Sequence, residues 1–172
     1  MEKGLIHIYT GSGKGKTSAA VGLCVRCSGQ GYKVGFTSFM KDFESGELKH
    51  DLPFTVFRHT PMCGFWKDLD ADKKTRAKKC AENALKEIFK AAEDESYDLI
   101  VLDEVLVAAS LGCIDTTLLK GLLSTKPDTL EVVMTGATCP DEILEMADYI
   151  SEIKAIRHPF EKGIQARKGI EY

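Results

Sequence analysis

Eight consecutive residues, Thr10-Gly11-Ser12-Gly13-Lys14-Gly15-Lys16-Thr17, hold the strongest chemical signal in this chain of 172 residues. They end in the Gly-Lys-Thr of a Walker A loop, with Thr10 where that pattern usually begins with glycine. Glycines let the backbone turn with its N–H groups inward, and a following helix adds the positive end of its dipole, so the segment predicts a cradle for a polyphosphate. Lys16 would neutralise phosphate oxygens, and the Thr17 hydroxyl would ligate Mg2+. Lys14 and Ser18 offer further phosphate contacts, so Gly11, Ser12, Gly13, Lys14, Gly15, Lys16, Thr17 and Ser18 form the candidate ATP-binding set. The competing reading is a glycine turn that only reverses the chain.

Such a loop needs an acidic partner at the end of a buried strand. Leu99-Ile100-Val101-Leu102 is followed by Asp103 and Glu104, either of which could hold Mg2+ directly or through water. A carboxylate that merely caps the next helix is the alternative.

The elements that must position these groups follow from apolar periodicity. Residues 5–9 read as a strand, residues 17–30 as a helix stopped by Gly29 and Gly31, and residues 33–40 as a second strand, which is a βαβ opening. Residues 54–57 are a shorter strand candidate. Ala81, Ala84, Leu85, Ile88, Phe89 and Ala92 mark one face of a helix over residues 70–93. Residues 98–103 have the continuous apolar centre of a strand covered on both faces. A helix over 116–124, a strand over 130–135, a short helix over 141–147 and a strand over 149–156 complete an alternation that predicts one doubly wound α/β domain over residues 1–172. Residues 41–72 are the least regular part, and residues 158–172 read as a surface tail.

Composition narrows the function. With 23 Lys and Arg against 26 Asp and Glu, the formal net charge is -3, so nothing draws the whole chain to nucleic acid or to an acidic membrane. At 44% hydrophobic residues the chain can build its own core. The opening residues lack the pattern of a signal peptide and no stretch is apolar enough to span a bilayer, which predicts a cytoplasmic protein. The six cysteines are scattered and are expected to be free thiols. Cys24 and Cys27 have metal half-site spacing but no second pair, and they also fit the buried face of a helix.

The residues then become more specific than a generic phosphate loop. Ile8-Tyr9 with the loop itself, Arg26, Gly29-x-Gly31, Phe39-Met40-Lys41, Gly64-Phe65-Trp66, Val101-Leu102-Asp103-Glu104 and Thr135-Gly136 occur in an order that resembles the ATP:corrinoid adenosyltransferases. The likeness runs on through Asp141 and Ala147-Asp148 to the tail His158-x-x-x-x-Gly163-x-x-Ala166-x-x-Gly169-Ile170-x-Tyr172.

The resemblance implies a P-loop (RecA-like) three-layer α/β/α fold with a mostly parallel sheet. It also implies transfer of the 5'-deoxyadenosyl group of ATP to the Co(I) centre of a reduced corrinoid, either cobalamin or a precursor such as cobyrinic acid a,c-diamide. Lys16, Thr17 and Glu104 would be the catalytic residues, and Thr17, Asp103 and Glu104 the Mg2+ ligands. ATP is expected to lie reversed in the loop, with its ribose C5' toward the corrinoid. Phe65 and Trp66 resemble an aromatic pair that packs below the corrin ring and displaces the lower cobalt ligand, although here the two are adjacent; core anchoring is their other reading. The implied partners are an electron-donating reductase such as a flavodoxin and a second copy of the chain in a homodimer. The chain begins at the first strand, without the N-terminal extension that some relatives fold over the site, so corrinoid closure is expected from elsewhere or is looser. A RecA-like ATPase or small-molecule kinase, and a non-catalytic nucleotide switch, remain alternatives that leave the tail unexplained.

Overall fold

The computed structural model describes residues 2–40, 45–58, 66–94 and 97–171. Six strands form one sheet: β1 (Ile6–Thr10), β2 (Val34–Ser38), β3 (Thr55–Val56), β4 (Leu99–Asp103), β5 (Glu131–Thr135) and β6 (Tyr149–Glu152). Their spatial order is β3-β2-β4-β5-β1-β6, and all the pairings are parallel, so the expected mostly parallel sheet is a wholly parallel one. Among the described residues five α-helices accompany it: α1 (Lys16–Ser28), α2 (Ala71–Asp94), α3 (Val105–Ser110), α4 (Thr116–Ser124) and α5 (Asp141–Leu144).

Strand alternation divides the core into two layers. Leu99, Val101, Phe36 and Val133 pack with Ala20, Cys24 and Cys27 of α1 on one face. Ile100, Leu102, Ile8, Val132 and Met134 pack with α2, α3, α4 and Ile143 of α5 on the other. Each central strand is apolar on both sides because helices cover both sides, giving a three-layer α/β/α domain. Cys24 and Cys27 belong to the buried stripe of α1, as its spacing predicts.

Several boundaries differ from the sequence reading. Strand β3 has two residues, since only Gly35 and Phe36 pair with it. Strand β6 ends at Glu152, where the chain leaves β1 to pass the phosphate loop. Helix α3 has no sequence forecast: its six residues, Val-Leu-Val-Ala-Ala-Ser, continue the apolar run of β4 and are too few to show a helical period. Gly136 makes room for it, because a Cβ there would lie 2.7 Å from Cβ of Leu106.

Alternation also aims the polar ends of the strands. Ser38, Asp103 and Thr135 each lie two residues beyond Phe36, Val101 and Val133, so they face the α1 layer at the carboxyl edge of the sheet. That edge is where α/β sheets bind ligands.

Candidate nucleotide site

The phosphate loop connects β1 to α1 and is fastened to the neighbouring strand exit. The N–H of Gly13 donates to the carbonyl of Ile153 at 2.7 Å, and the N–H of Ile153 donates to the carbonyl of Thr10 at 2.8 Å. The approach is too close for side chains: a Cβ would stand 2.5 Å from the Ile153 oxygen at Gly11 and 2.8 Å at Gly13. Ser12 accepts a hydrogen bond from the N–H of Ala155 at 3.4 Å. Gly15 is required differently, by a φ of 114° as the residue preceding α1.

No side chain caps α1, and its first turn carries no acidic residue. Its leading amides and dipole are therefore directed at the loop with no competing carboxylate in that turn, which suits an anion. Lys16 folds back over the loop, its ammonium donating to the carbonyls of Gly11 at 2.6 Å and Gly13 at 2.7 Å.

Beneath the loop lies Asp103, fully buried. Its Oδ1 accepts hydrogen bonds from the hydroxyls of Thr17 at 2.8 Å and Thr135 at 2.7 Å, and its Oδ2 accepts one from Ser38 at 3.0 Å. Thr135 in turn accepts from the N–H of Glu104 at 2.9 Å. Four elements, α1, β2, β4 and β5, are thus tied through one carboxylate. Burial of a charge is tolerable where it is met by several donors, as here.

Glu104 lines the cavity over the loop. Its backbone is left-handed, with φ 59°, and Met40, just past β2, has φ 58°. They are the two non-glycine residues with positive φ among the described residues; Glu104 directly follows β4 and lines the cavity, while Met40 lies two residues past β2 and packs against the larger core cluster. Strain of this kind concentrates where function requires a particular geometry.

A cavity of about 550 Å³ opens over the loop, lined by Gly13, Lys14, Gly15, Lys16, Thr17, Ser18 and Glu104 from one side. Ser45, Gly46, Glu47 and His50 form another wall, and the tail residues Gly169, Ile170 and Glu171 a third. The volume falls within the roughly 300–1,000 Å³ of small-molecule sites. Of the sequence-selected residues, Gly11 and Ser12 pack behind the loop and Asp103 lies below it. Arg26 is in the last turn of α1, at the far end from the loop, and is exposed. Trp66 opens a 3-10 turn, Trp66–Asp68, and packs partly buried against the larger core cluster. Phe65, Gly64 and Lys41 lie outside the described residues.

The sequence reading did not select Ser38 as a partner of Asp103, nor the wall 45–50. Ser38 had a readable signal, a hydroxyl residue ending a predicted buried strand. The wall had none, because the 3-10 turn Gly46–Lys49 has no periodicity.

The donors present fit Mg2+ held with a nucleotide. The Thr17 hydroxyl and the Glu104 carboxylate line the cavity over the loop, and the buried Asp103 carboxylate lies directly behind Thr17, so hard oxygen donors of the kind Mg2+ takes are present. Among the described residues there is no group of three or more His, Cys, Asp or Glu that could cage a metal. This ion usually takes one or two carboxylates and completes its shell with phosphate and water, so a full protein cage is not needed.

Comparison with known proteins agrees with this geometry. The corrinoid adenosyltransferase of Escherichia coli strain K12 is 33% identical over 176 residues, covering 99% of this chain and 87% of that protein. Corrinoid adenosyltransferase CobA of Salmonella typhimurium is 32% identical over 173 residues, covering 99% and 87%. The corrinoid adenosyltransferase of Pseudomonas aeruginosa is 33% identical over 174 residues, covering 99% and 85%. The family model described as ATP:corrinoid adenosyltransferase BtuR/CobO/CobP matches residues 2–172, and with a phosphate loop, a buried Asp103 and a nucleotide-sized cavity in one place, the chain belongs to the ATP:corrinoid adenosyltransferases.

Proposed function

We propose that the chain transfers the 5'-deoxyadenosyl group of ATP to the Co(I) centre of a reduced corrinoid, cob(I)alamin or a cob(I)yrinic acid a,c-diamide precursor, and releases triphosphate. The observation that carries this reading is the Thr17–Asp103 hydrogen bond below a phosphate loop in a chain of this family.

The reaction forms a Co–C5' bond with the electron pair of Co(I) and breaks C5'–O, whose electrons leave on the triphosphate. Cobalt is the nucleophile, so the protein needs none of its own. Its work is to hold C5' in line and to stabilise the charge gathering on the leaving oxygens. The amides at the start of α1 and the ammonium of Lys16 would do the latter, with Lys16 exchanging the carbonyls of Gly11 and Gly13 for phosphate oxygens. Mg2+, when bound by Thr17 and Glu104 with Asp103 behind them, supplies further neutralisation of triphosphate charge. Asp103 holds the Thr17 hydroxyl in place, and the Thr135 contact to the Glu104 N–H fixes the turn that presents Glu104.

The same reading has ATP reversed in the loop, so that its ribose end faces the corrinoid, and assigns Phe65 and Trp66 to the lower face of the ring. It includes an electron-donating protein of the flavodoxin kind that keeps cobalt at Co(I), a homodimeric assembly and a cytoplasmic location. Among the described residues no helix is long and apolar enough to cross a membrane.

The test is to mix the protein with MgATP and chemically reduced cobalamin and to follow the visible spectrum. A Co–C bond should form with one triphosphate released per adenosylcobalamin. Absence of that bond, or ADP and phosphate in place of triphosphate, would overturn the reading.

A further inference from the structure

The tail brings a carboxylate to the phosphate end of the cavity. Glu171 lines the cavity together with the loop, and its carboxylate lies 3.4 Å from the ammonium of Lys14. The same carboxylate accepts from the backbone N–H of Arg167 at 2.8 Å and from its guanidinium at 3.3 Å through both Nε and Nη2. Lys14 and Arg167 are thus held side by side on one anion.

A second cavity of about 330 Å³ shares Lys14 and Glu171 with the first and is lined also by Lys154, Arg157, His158 and Arg167, with Glu171 the one carboxylate among its lining residues. Lys154 is drawn to Glu152 at 3.0 Å, while Arg157 forms no ion pair among the described residues. In a chain of net charge -3 this is a local excess of cations. Its position next to the loop is one that a polyanion with more charge than one carboxylate would favour.

The parallel with Lys16 is direct. Both lysines of the loop have internal oxygen partners, carbonyls for Lys16 and a tail carboxylate for Lys14. The Arg167 guanidinium holds the Glu171 carboxyl down at about 2, so the tail anion is ionised at any working pH. The segment that carries it turns on Gly163 and Gly169, at φ 75° and 76°, and a Cβ at either would meet nothing within 4 Å. Residues 159–171 are all exposed, so none of the tail is packed into a core.

We propose that Arg167 joins Lys14 as a ligand of the ATP triphosphate, and that Glu171 is a built-in competitor that holds this cation pair until the nucleotide displaces it. The proposal rests on the reading of the loop as the triphosphate cradle. Partly exposed ion pairs are weak, so phosphate oxygens making charge-assisted bonds to the same two cations outcompete a single carboxylate. Competition by the tail lowers apparent affinity by the fraction of time the site is closed to phosphate.

The experiment is calorimetric titration of the full chain with sodium triphosphate, with adenosine titrated in parallel. Glu171→Gln should tighten triphosphate binding roughly threefold or more, Arg167→Ala should weaken it roughly fivefold, and Lys168→Ala, a neighbouring tail charge, should leave it unchanged. Adenosine affinity should be the same in all four proteins. The proposal is overturned if Glu171→Gln binds triphosphate no more tightly than the parent, if Arg167→Ala binds it equally well, or if adenosine affinity shifts by the same factor, which marks a structural effect. Failure of the parent protein to bind triphosphate at all would remove the cradle reading first and the tail assignment with it.

Discussion

Thr17 and Asp103 stand 86 positions apart in the chain and 2.8 Å apart in the fold, hydroxyl to carboxylate. The contact couples the first turn of α1 to the end of β4 across β5, the strand between β4 and β1. Thr135, at the end of that intervening strand, donates to the same Oδ1. Sheet order therefore decides which hydroxyls meet the acid, and the acid decides where the phosphate loop rests.

Asp103→Ala should remove that common acceptor and leave three hydroxyls, of which Thr135 is fully buried, to find new partners. The expected loss of stability is ~1–3 kcal/mol, from buried polar groups left poorly satisfied. Adenosylation should fall about 10- to 100-fold, the usual scale for a group that orients ligands from behind. Thermal unfolding and the Co–C assay check both, and a variant matching the parent in each would deny Asp103 this role.

How much of this was legible in the sequence depends on the range of the interaction. The phosphate loop, α1, β4 and the long α2 are local patterns, and their boundaries agree with the structure to within a residue or two. The acid at 103 was legible as well, because a strand ending in Asp is a local fact. Its three hydroxyl partners come from α1, β2 and β5, and only the sheet order brings those elements together. Helix α3 was hidden for a different reason: its apolar residues continue those of β4, and the break between them is the left-handed turn at Glu104, where no glycine announces it. The tail read as surface is indeed exposed, yet Gly169, Ile170 and Glu171 wall the cavity over the phosphate loop, a placement that composition does not encode.

Gly13→Ala and Gly22→Ala should have opposite effects although they lie nine residues apart. At Gly13 the new Cβ meets the Ile153 carbonyl oxygen at 2.8 Å, and backbone cannot rotate away as a side chain tip can. Stability should drop by ~1–3 kcal/mol and ATP affinity with it, since the loop must leave its anchor. At Gly22, inside α1, a Cβ meets nothing within 4 Å, so alanine should raise stability by ~0.5–1 kcal/mol with activity kept. Denaturant midpoints and ATP titration of the two variants give the comparison, and a stable, fully active Gly13→Ala would show that the anchor is dispensable.

Glu104→Gly should separate stability from function. The left-handed φ of 59° costs a non-glycine residue about 1 kcal/mol or more, and glycine relieves it at some entropic cost in the unfolded chain. The variant should unfold at no lower temperature than the parent while its adenosylation rate falls at least about tenfold, as expected when a residue is kept in strain for the site it faces. A fall in melting temperature with activity intact would contradict both halves.

Alkaline pH should weaken the fold through the buried thiols. Burial is the main cause that pushes Cys24 up from 9.0 to about 12, with the neighbouring Cys27 adding to it, and burial likewise raises Cys113 to about 11. The unfolded chain loses these protons near pH 9 and the folded one only above it. Stability from this source is therefore complete below pH 9 and declines as pH rises from about 9 toward 12. Denaturant melts across that window should show the decline, and Cys24→Ala should flatten part of it; a curve identical in parent and variant would assign the loss to other groups.

Trp66 offers a way to tell packing from corrinoid chemistry. Its ring is partly buried against the larger core cluster, and the Lys74 ammonium lies 5.9 Å from its centroid, so truncation should lower stability by ~1–3 kcal/mol whatever else it does. A packing loss alone would slow adenosylation equally from either cobalt state, measured below the melting temperature of the variant. An apolar wedge under the corrin ring acts earlier, because removing water and the lower ligand makes Co(II) easier to reduce, while preformed Co(I) needs no such help. Trp66→Ala is accordingly expected to lose roughly tenfold more rate with Co(II) corrinoid and a reductant than with Co(I) supplied directly. Equal losses on the two substrates would leave Trp66 as an anchor of the turn before α2 and nothing more.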